Sequence, residues 1–132
     1  MIVGIGTDMV EVSRVASLFD RHGERFLARV FTEEEGRYAL SGRRPAERLS
    51  GRFAVKEAVL KALGTGKAVG ILWKDVETVR GRGGAPEVRL HGEAAAWLAR
   101  RGGGKVHVTI THDGGKALAF VVIEGKAGEG ER

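Results

Sequence analysis

The chain has 132 residues, enough for one domain with a core of its own. It contains no cysteine, which excludes disulfide frameworks, thiol nucleophiles and thiolate zinc sites, and no apolar run approaches the roughly 20 residues of a membrane span. Lys and Arg outnumber Asp and Glu by 22 to 17, a formal +5 that favours an anionic partner: nucleic acid, a phosphate ligand or an acidic protein.

The opening MIVGIGTDMVEV has neither the basic start nor the cleavage site of a signal peptide, so the expectation is a soluble, cytoplasmic protein. Ile2–Thr7 alternates between glycines and predicts a short strand that ends at Asp8. From Val12 the period becomes helical through Val15, Phe19, His22 and Phe26, with Gly23 a kink or break. Thr32 and Glu35 form a capping-box pattern that opens a helix to about Leu40. Pro45 suits a helix's first turn and Gly64 its stop, which makes 45–63 the longest helix. Val76–Arg80 and Glu87–Leu90 read as strands, and 92–101 as a helix. Val106–Thr111 and Ala117–Glu124 read as strands joined by the turn Asp113–Gly114–Gly115. Helices come mostly first and strands mostly last, so the fold class is α+β, a small antiparallel sheet packed with helices. The expected domain is 1–124, followed by a polar, disordered tail, 125–132.

Common phosphate and hydrolase motifs are absent. Gly4-x-Gly6 lacks a third glycine because position 9 is Met, and each Gly-Lys pair is followed by Ala or Val rather than Ser or Thr. None of the four serines sits in G-x-S-x-G, and the four histidines have no metal-ligand spacing.

The 45–63 segment is apolar nearly all round, the mark of a buried helix. Lys56 nevertheless lies in its leucine stripe, and Ser50, Glu57 and Lys61 fall within roughly 40° of one another on the helical wheel. Two readings fit: a solvated i, i+4 Glu57–Lys61 pair, or a site, because a buried helix does not keep an unpartnered charge. Asp8, at the end of its strand, is either a cap or the second carboxylate of a Mg²⁺ site completed by water and phosphate oxygens. The Gly64–Thr65–Gly66 turn is a plain helix stop or a source of exposed N–H groups for an anion.

Several motifs resemble one family: G-I-G-T-D at 4–8, R-V-F-T-E-x-E at 29–35, G-R-F-A-V-K-E-A-V-L-K-A-L-G-T-G at 51–66, V-T-I-T-H at 108–112 and A-x-V-V-I-E at 119–124. The chain resembles holo-acyl-carrier-protein synthase, the short bacterial type of 4′-phosphopantetheinyl transferase, from residue 2 to about 124. The resemblance implies that fold and transfer of the 4′-phosphopantetheine arm of coenzyme A to a serine of apo acyl carrier protein, which releases 3′,5′-ADP and gives the holo carrier protein used in fatty acid biosynthesis. It implies Mg²⁺ on Asp8 and Glu57 and an active-site lysine at Lys61. Coenzyme A contacts fall on Arg52, Gly64, Thr65, Gly66 and His112, and more loosely on Arg43 and Arg44. It further implies a homotrimer with sites between subunits. Asp113 departs from the pattern, since a small or hydroxyl residue is expected after the histidine.

The chemistry agrees with these residues. Attack on a diphosphate phosphorus needs charge neutralisation and alignment more than covalent help. Lys61 suits a leaving phosphate, and Glu57 suits either a metal or the serine proton. Arg14, Leu18, Arg21 and Arg25 fall at i, i+4, i+7 and i+11, one apolar residue among three arginines. Such a face is either solvated or, as the resemblance implies, a dock for the acidic carrier protein. The alternatives are a small basic nucleic-acid-binding module and a non-catalytic carrier-binding scaffold. Aromatic content of only 6% and dispersed basic residues weigh against the first, so no nucleic acid and no membrane is expected among the partners.

Overall fold

The structure is a computed structural model that describes residues 1–68 and 70–127. Strand β1 (Ile2–Glu11) leads into helix α1 (Val12–His22), and α2 (Glu24–Val30) follows after a break at Gly23. Next come α3 (Glu33–Leu40), α4 (Pro45–Leu63), β2 (Val76–Arg80), β3 (Pro86–Leu90), α5 (Gly92–Arg100), β4 (Gly103–Asp113) and β5 (Lys116–Gly125). The strands form two antiparallel sheets: three strands ordered β1-β5-β4, and the pair β2-β3.

The expected elements are present, with several strands longer than expected; β4 runs from Gly103 to Asp113 rather than over Val106–Thr111. β1 runs to Glu11, three residues past the expected end at Asp8, because every residue from Gly4 onward pairs with β5. Asp8 therefore sits inside the strand, opposite Ala119. β5 extends into the expected tail as far as Gly125, whose N–H donates to the Met1 carbonyl. Residues 128–132 of that tail lie outside the described residues.

Helix α4 is the centre of the molecule. Its small residues Ala54, Ala58 and Ala62 are buried, as are Ala117, Ala119, Val121 and Ile123 of β5. Gly4 and Gly6 of β1 let the helix come closer still. A Cβ on Gly6 collides with the Ala58 carbonyl oxygen, and one on Gly4 with that of Ala62. The G-I-G of β1 is thus a backbone-to-backbone contact between strand and helix, and it brings Asp8 to the helix surface. The other face of the sheet is open: Ile5, Met9 and Phe120 are about half exposed, at 58%, 57% and 42%.

On the opposite side, α4 is tied to α3 and β2 through one buried ion pair. Lys56 Nζ donates to Glu35 Oε1 at 2.8 Å, to the Trp73 carbonyl at 3.1 Å and to the Val76 carbonyl. Glu35 accepts from the Thr32 N–H as the capping box requires, and its second oxygen accepts from the Thr78 N–H at 2.9 Å. Neither side chain has any exposed surface. Burial pushes the Lys56 ammonium below its ordinary pKa, and the adjacent Glu35 carboxylate pulls it back up.

Candidate active site

The close approach of β1 and α4 brings Asp8, Glu57 and Lys61 together. Lys61 Nζ donates to Asp8 Oδ1 and to the Thr7 carbonyl, both at 3.0 Å. Lys61 thus reaches across to the strand, rather than back to Glu57 as an i, i+4 pair. Asp8 is 11% exposed, and its Oδ2 is buried without a hydrogen-bond partner among the described residues. The Glu57 carboxyl is pushed up to about 7, first by burial and then by the adjacent, negatively charged Asp8 carboxylate. Lys61 and, through space, Arg14 at the start of α1 pull it back down. Two carboxyls thus converge beside one orphaned oxygen, a hard donor set that fits a divalent cation of the Mg²⁺ type. Ser50, on the same side of the wheel, turns away and donates to the Ala46 carbonyl of its own helix at 2.6 Å.

The remaining expected residues lie elsewhere along α4. The turn after the helix does not offer free N–H groups. Gly64 adopts a left-handed φ of 78°, and the N–H groups of Gly64, Thr65 and Gly66 all donate to the Leu60 or Lys61 carbonyls. Helix ends leave carbonyls without partners, and this turn satisfies them. The Arg101 guanidinium lies against Gly64, a cation at this turn that no spacing pattern singles out. At the other end of the helix, His112 Nε2 donates to the Glu47 carbonyl at 2.9 Å. His112 lines a cleft of about 290 Å³ with Arg44, Glu47, Asp113 and Lys116, and Arg44 pairs with Glu47 at 3.1 Å. Arg43 is exposed beside it. Glu47 and Glu57 are ten residues apart, about 15 Å along the helix.

Arg52 points in a third direction. Its guanidinium stacks 3.9 Å from the Tyr38 ring centroid, where Arg48 also stacks at 4.2 Å. It is 6% exposed, its Nε has no partner, and burial lowers its pKa below the usual arginine value. One chain therefore does not gather all the expected coenzyme A residues into a single pocket.

Of the residues expected to form one docking face, Arg14, Leu18 and Arg21 lie on α1, whereas Arg25 lies on α2, because the break at Gly23 interrupts the helical phase. Arg14, Arg21 and Arg25 are exposed and Leu18 is half-buried. Leu18 and Arg25 open onto a cavity of about 360 Å³ whose floor includes Phe26, Phe53 and Trp73. The Phe53–Trp73 stack, with centroids 5.1 Å apart, joins α4 to the turn before β2, a pairing that sequence periodicity does not reveal.

The profile of the 4′-phosphopantetheinyl transferase superfamily matches residues 4–121. The holo-[acyl-carrier-protein] synthase of Koribacter versatilis is 44% identical over 124 residues, covering 94% of this chain and 99% of that protein. The chain belongs to the holo-acyl-carrier-protein synthase family. Among solved members, the Neisseria meningitidis synthase superposes with a TM-score of 0.85 at 34% identity, covering 94% of this chain and 99% of that one. The Bacillus anthracis synthase, solved in complex with CoA (3′,5′-ADP), does so at 0.78 and 35% identity, covering 96% and 99%. The protein is accordingly a phosphopantetheinyl transferase with the α+β fold of its family, which sets aside the nucleic-acid-binding and non-catalytic scaffold readings. Among the described residues, no helix is long and apolar enough to cross a membrane.

Proposed function

We propose that the protein transfers 4′-phosphopantetheine from coenzyme A to a serine of apo acyl carrier protein, with Mg²⁺ held by Asp8 and Glu57. The observation that carries this reading is the convergence of the two carboxyls beside the buried, unpartnered Oδ2 of Asp8. When bound, the cation neutralises charge that develops on the diphosphate oxygens. Lys61, on the exposed side of the pair, supplies a further positive charge to the leaving phosphate. Glu57, on the same helix face as Lys61, is placed to hold the serine proton directly or through water. The serine oxygen forms its bond to phosphorus as the bridging oxygen leaves with 3′,5′-ADP. Arg14, Leu18, Arg21 and Arg25 dock the acidic carrier.

The active unit is a homotrimer. Two observations support this: the apolar sheet face of Ile5, Met9 and Phe120, and the wide spacing along α4 between the carboxyl pair and the Arg44/His112 cleft. A neighbouring copy then brings its own Arg44, Arg52 and His112 to the carboxyls of the first. The assignment to cytoplasmic fatty acid biosynthesis rests on the family alone.

Incubation with coenzyme A and apo carrier protein tests the reaction. A phosphopantetheine mass gain on the carrier that EDTA abolishes and Mg²⁺ restores is expected; a gain indifferent to EDTA overturns the metal role. Arg14→Glu with Arg21→Glu is expected to raise KM for the carrier about tenfold while leaving coenzyme A binding intact, and wild-type KM is expected to rise with salt. An unchanged KM overturns the docking assignment.

A further inference from the structure

Both acceptors of the Lys61 ammonium, Asp8 Oδ1 and the Thr7 carbonyl, belong to β1. The side chain is clipped to the strand even though it is 56% exposed, and no other hydrogen bond holds it among the described residues. A lysine whose only task is to meet a substrate phosphate has no need of this clip. Asp8, by contrast, is almost enclosed, and one of its oxygens has no partner.

Charge counting sharpens the point. Asp8 and Glu57 contribute two carboxyls, and among the described residues Lys61 is the only cation in hydrogen-bond contact with either. Arg14 acts on Glu57 through space alone. One ammonium matches one carboxylate, whereas a divalent ion matches both. An ion on Asp8 and an ammonium on the same carboxylate lie within a few ångströms of each other, where like charges repel strongly in partly buried surroundings. The flexible four-carbon stem of lysine lets the ammonium leave without moving the helix.

We propose that Lys61 and the divalent cation compete for Asp8, so that ion binding releases the Lys61 ammonium from β1 to meet the coenzyme A diphosphate. The inference rests on Asp8 and Glu57 being the ion's ligands. Linkage makes the effect reciprocal: whatever Lys61 takes from ion affinity, the ion takes from the Lys61–Asp8 contact. In this role Lys61 holds Asp8 in place while the ion is away and becomes available to substrate once the ion arrives.

The test is Mn²⁺ binding, followed by the electron paramagnetic resonance of the free ion and without coenzyme A, on wild type, Lys61→Met, Arg14→Met and Asp8→Asn. Lys61→Met is expected to tighten Mn²⁺ roughly tenfold or more. Arg14→Met, which removes a nearby charge but no contact, tightens it clearly less, and Asp8→Asn abolishes it. In the unmutated protein with ¹⁵N-labelled lysine, Mg²⁺ is expected to shift the Lys61 ammonium resonance, a readout that needs no variant to fold. A Lys61→Met protein that binds no tighter than wild type, or no tighter than Arg14→Met, overturns the competition, as does an ammonium resonance that Mg²⁺ leaves in place. Binding by neither wild type nor Lys61→Met overturns the ligand assignment beneath it; binding by both without tightening overturns the competition alone.

Discussion

Helix α4 carries two lysines five positions apart, and each reaches a carboxylate on another element. Lys56 meets Glu35 at 2.8 Å with both side chains fully buried, and every donor and acceptor between them has a partner. Lys61 meets Asp8 at 3.0 Å, half exposed, beside a second carboxyl and an oxygen with no partner. The same two functional groups are complete in one place and incomplete in the other. A completed buried pair specifies how three elements fit together, whereas an incomplete one retains capacity for a ligand. Satisfaction of hydrogen bonds, more than charge or burial alone, separates the structural pair from the candidate site.

The comparison breaks most sharply in stability. Lys56→Met strands the Glu35 carboxylate in the core and is expected to cost about 3–5 kcal/mol. Lys61→Met removes a half-exposed ammonium from a nearly enclosed carboxylate and is expected to cost clearly less, about 1–2 kcal/mol. Urea denaturation of the two variants measures the contrast, and equal midpoints would erase it. Next in size is the effect of Glu57→Gln on turnover, a loss of at least about a hundredfold for a metal ligand. The same variant is expected to melt at or above wild type in EDTA, because it relieves the repulsion with Asp8, and Mg²⁺ is expected to raise the melting temperature of wild type only. Melting several degrees lower in EDTA would instead make Glu57 a structural partner.

Gly6→Ala probes how the incomplete pair is assembled. Its Cβ meets a helix carbonyl that has no room to move, so a loss of about 1–3 kcal/mol is expected. Transfer activity should fall with it, since Asp8 is two residues away on the same strand. The smallest effect is in pH dependence. The Glu57 carboxyl is raised from 4.5 to about 7 in the folded chain, so between those values the native state binds more protons than the unfolded one. Its stability contribution is present below pH 4.5 and is lost as the pH rises through 7. In EDTA, wild type should therefore lose a few degrees of melting temperature relative to Glu57→Gln between pH 5 and 8. Parallel profiles would mean the two carboxyls do not interact.

Much of this contrast is written locally in the chain. The Thr32–Glu35 capping box, the break at Gly23, and Pro45 and Gly64 at the ends of α4 are nearest-neighbour signals, and those elements lie where the signals place them. The helical wheel also marks Lys56 and Lys61 as anomalies on an apolar helix. It does not identify their partners, because Glu35 and Asp8 are distant in sequence and reach α4 only through tertiary packing. Glu35 reads as a cap alone, although its two oxygens serve the cap, Lys56 and Thr78 together. The far end of β1 is likewise invisible, since Asp8 looks like a strand terminator until pairing with β5 carries the ladder past it. The N–H groups of 64–66 look free until the helix end claims them.

The pairing of β1 with β5 sets a timetable for biosynthesis. Asp8 is made well before its neighbour in the sheet, Ala119, which follows more than a hundred positions later. At about 5–20 residues per second, the N-terminal strand waits several seconds before its hydrogen-bonding partner exists. Glu57 and Lys61 can sit on a formed α4 throughout that interval without a fixed carboxylate opposite them. A nascent chain that stops just after His112 contains every residue assigned to catalysis, coenzyme A and docking, yet it lacks β5, the only strand among the described residues with which β1 pairs. Strand β5 carries none of the assigned residues, yet the active site closes only when it arrives.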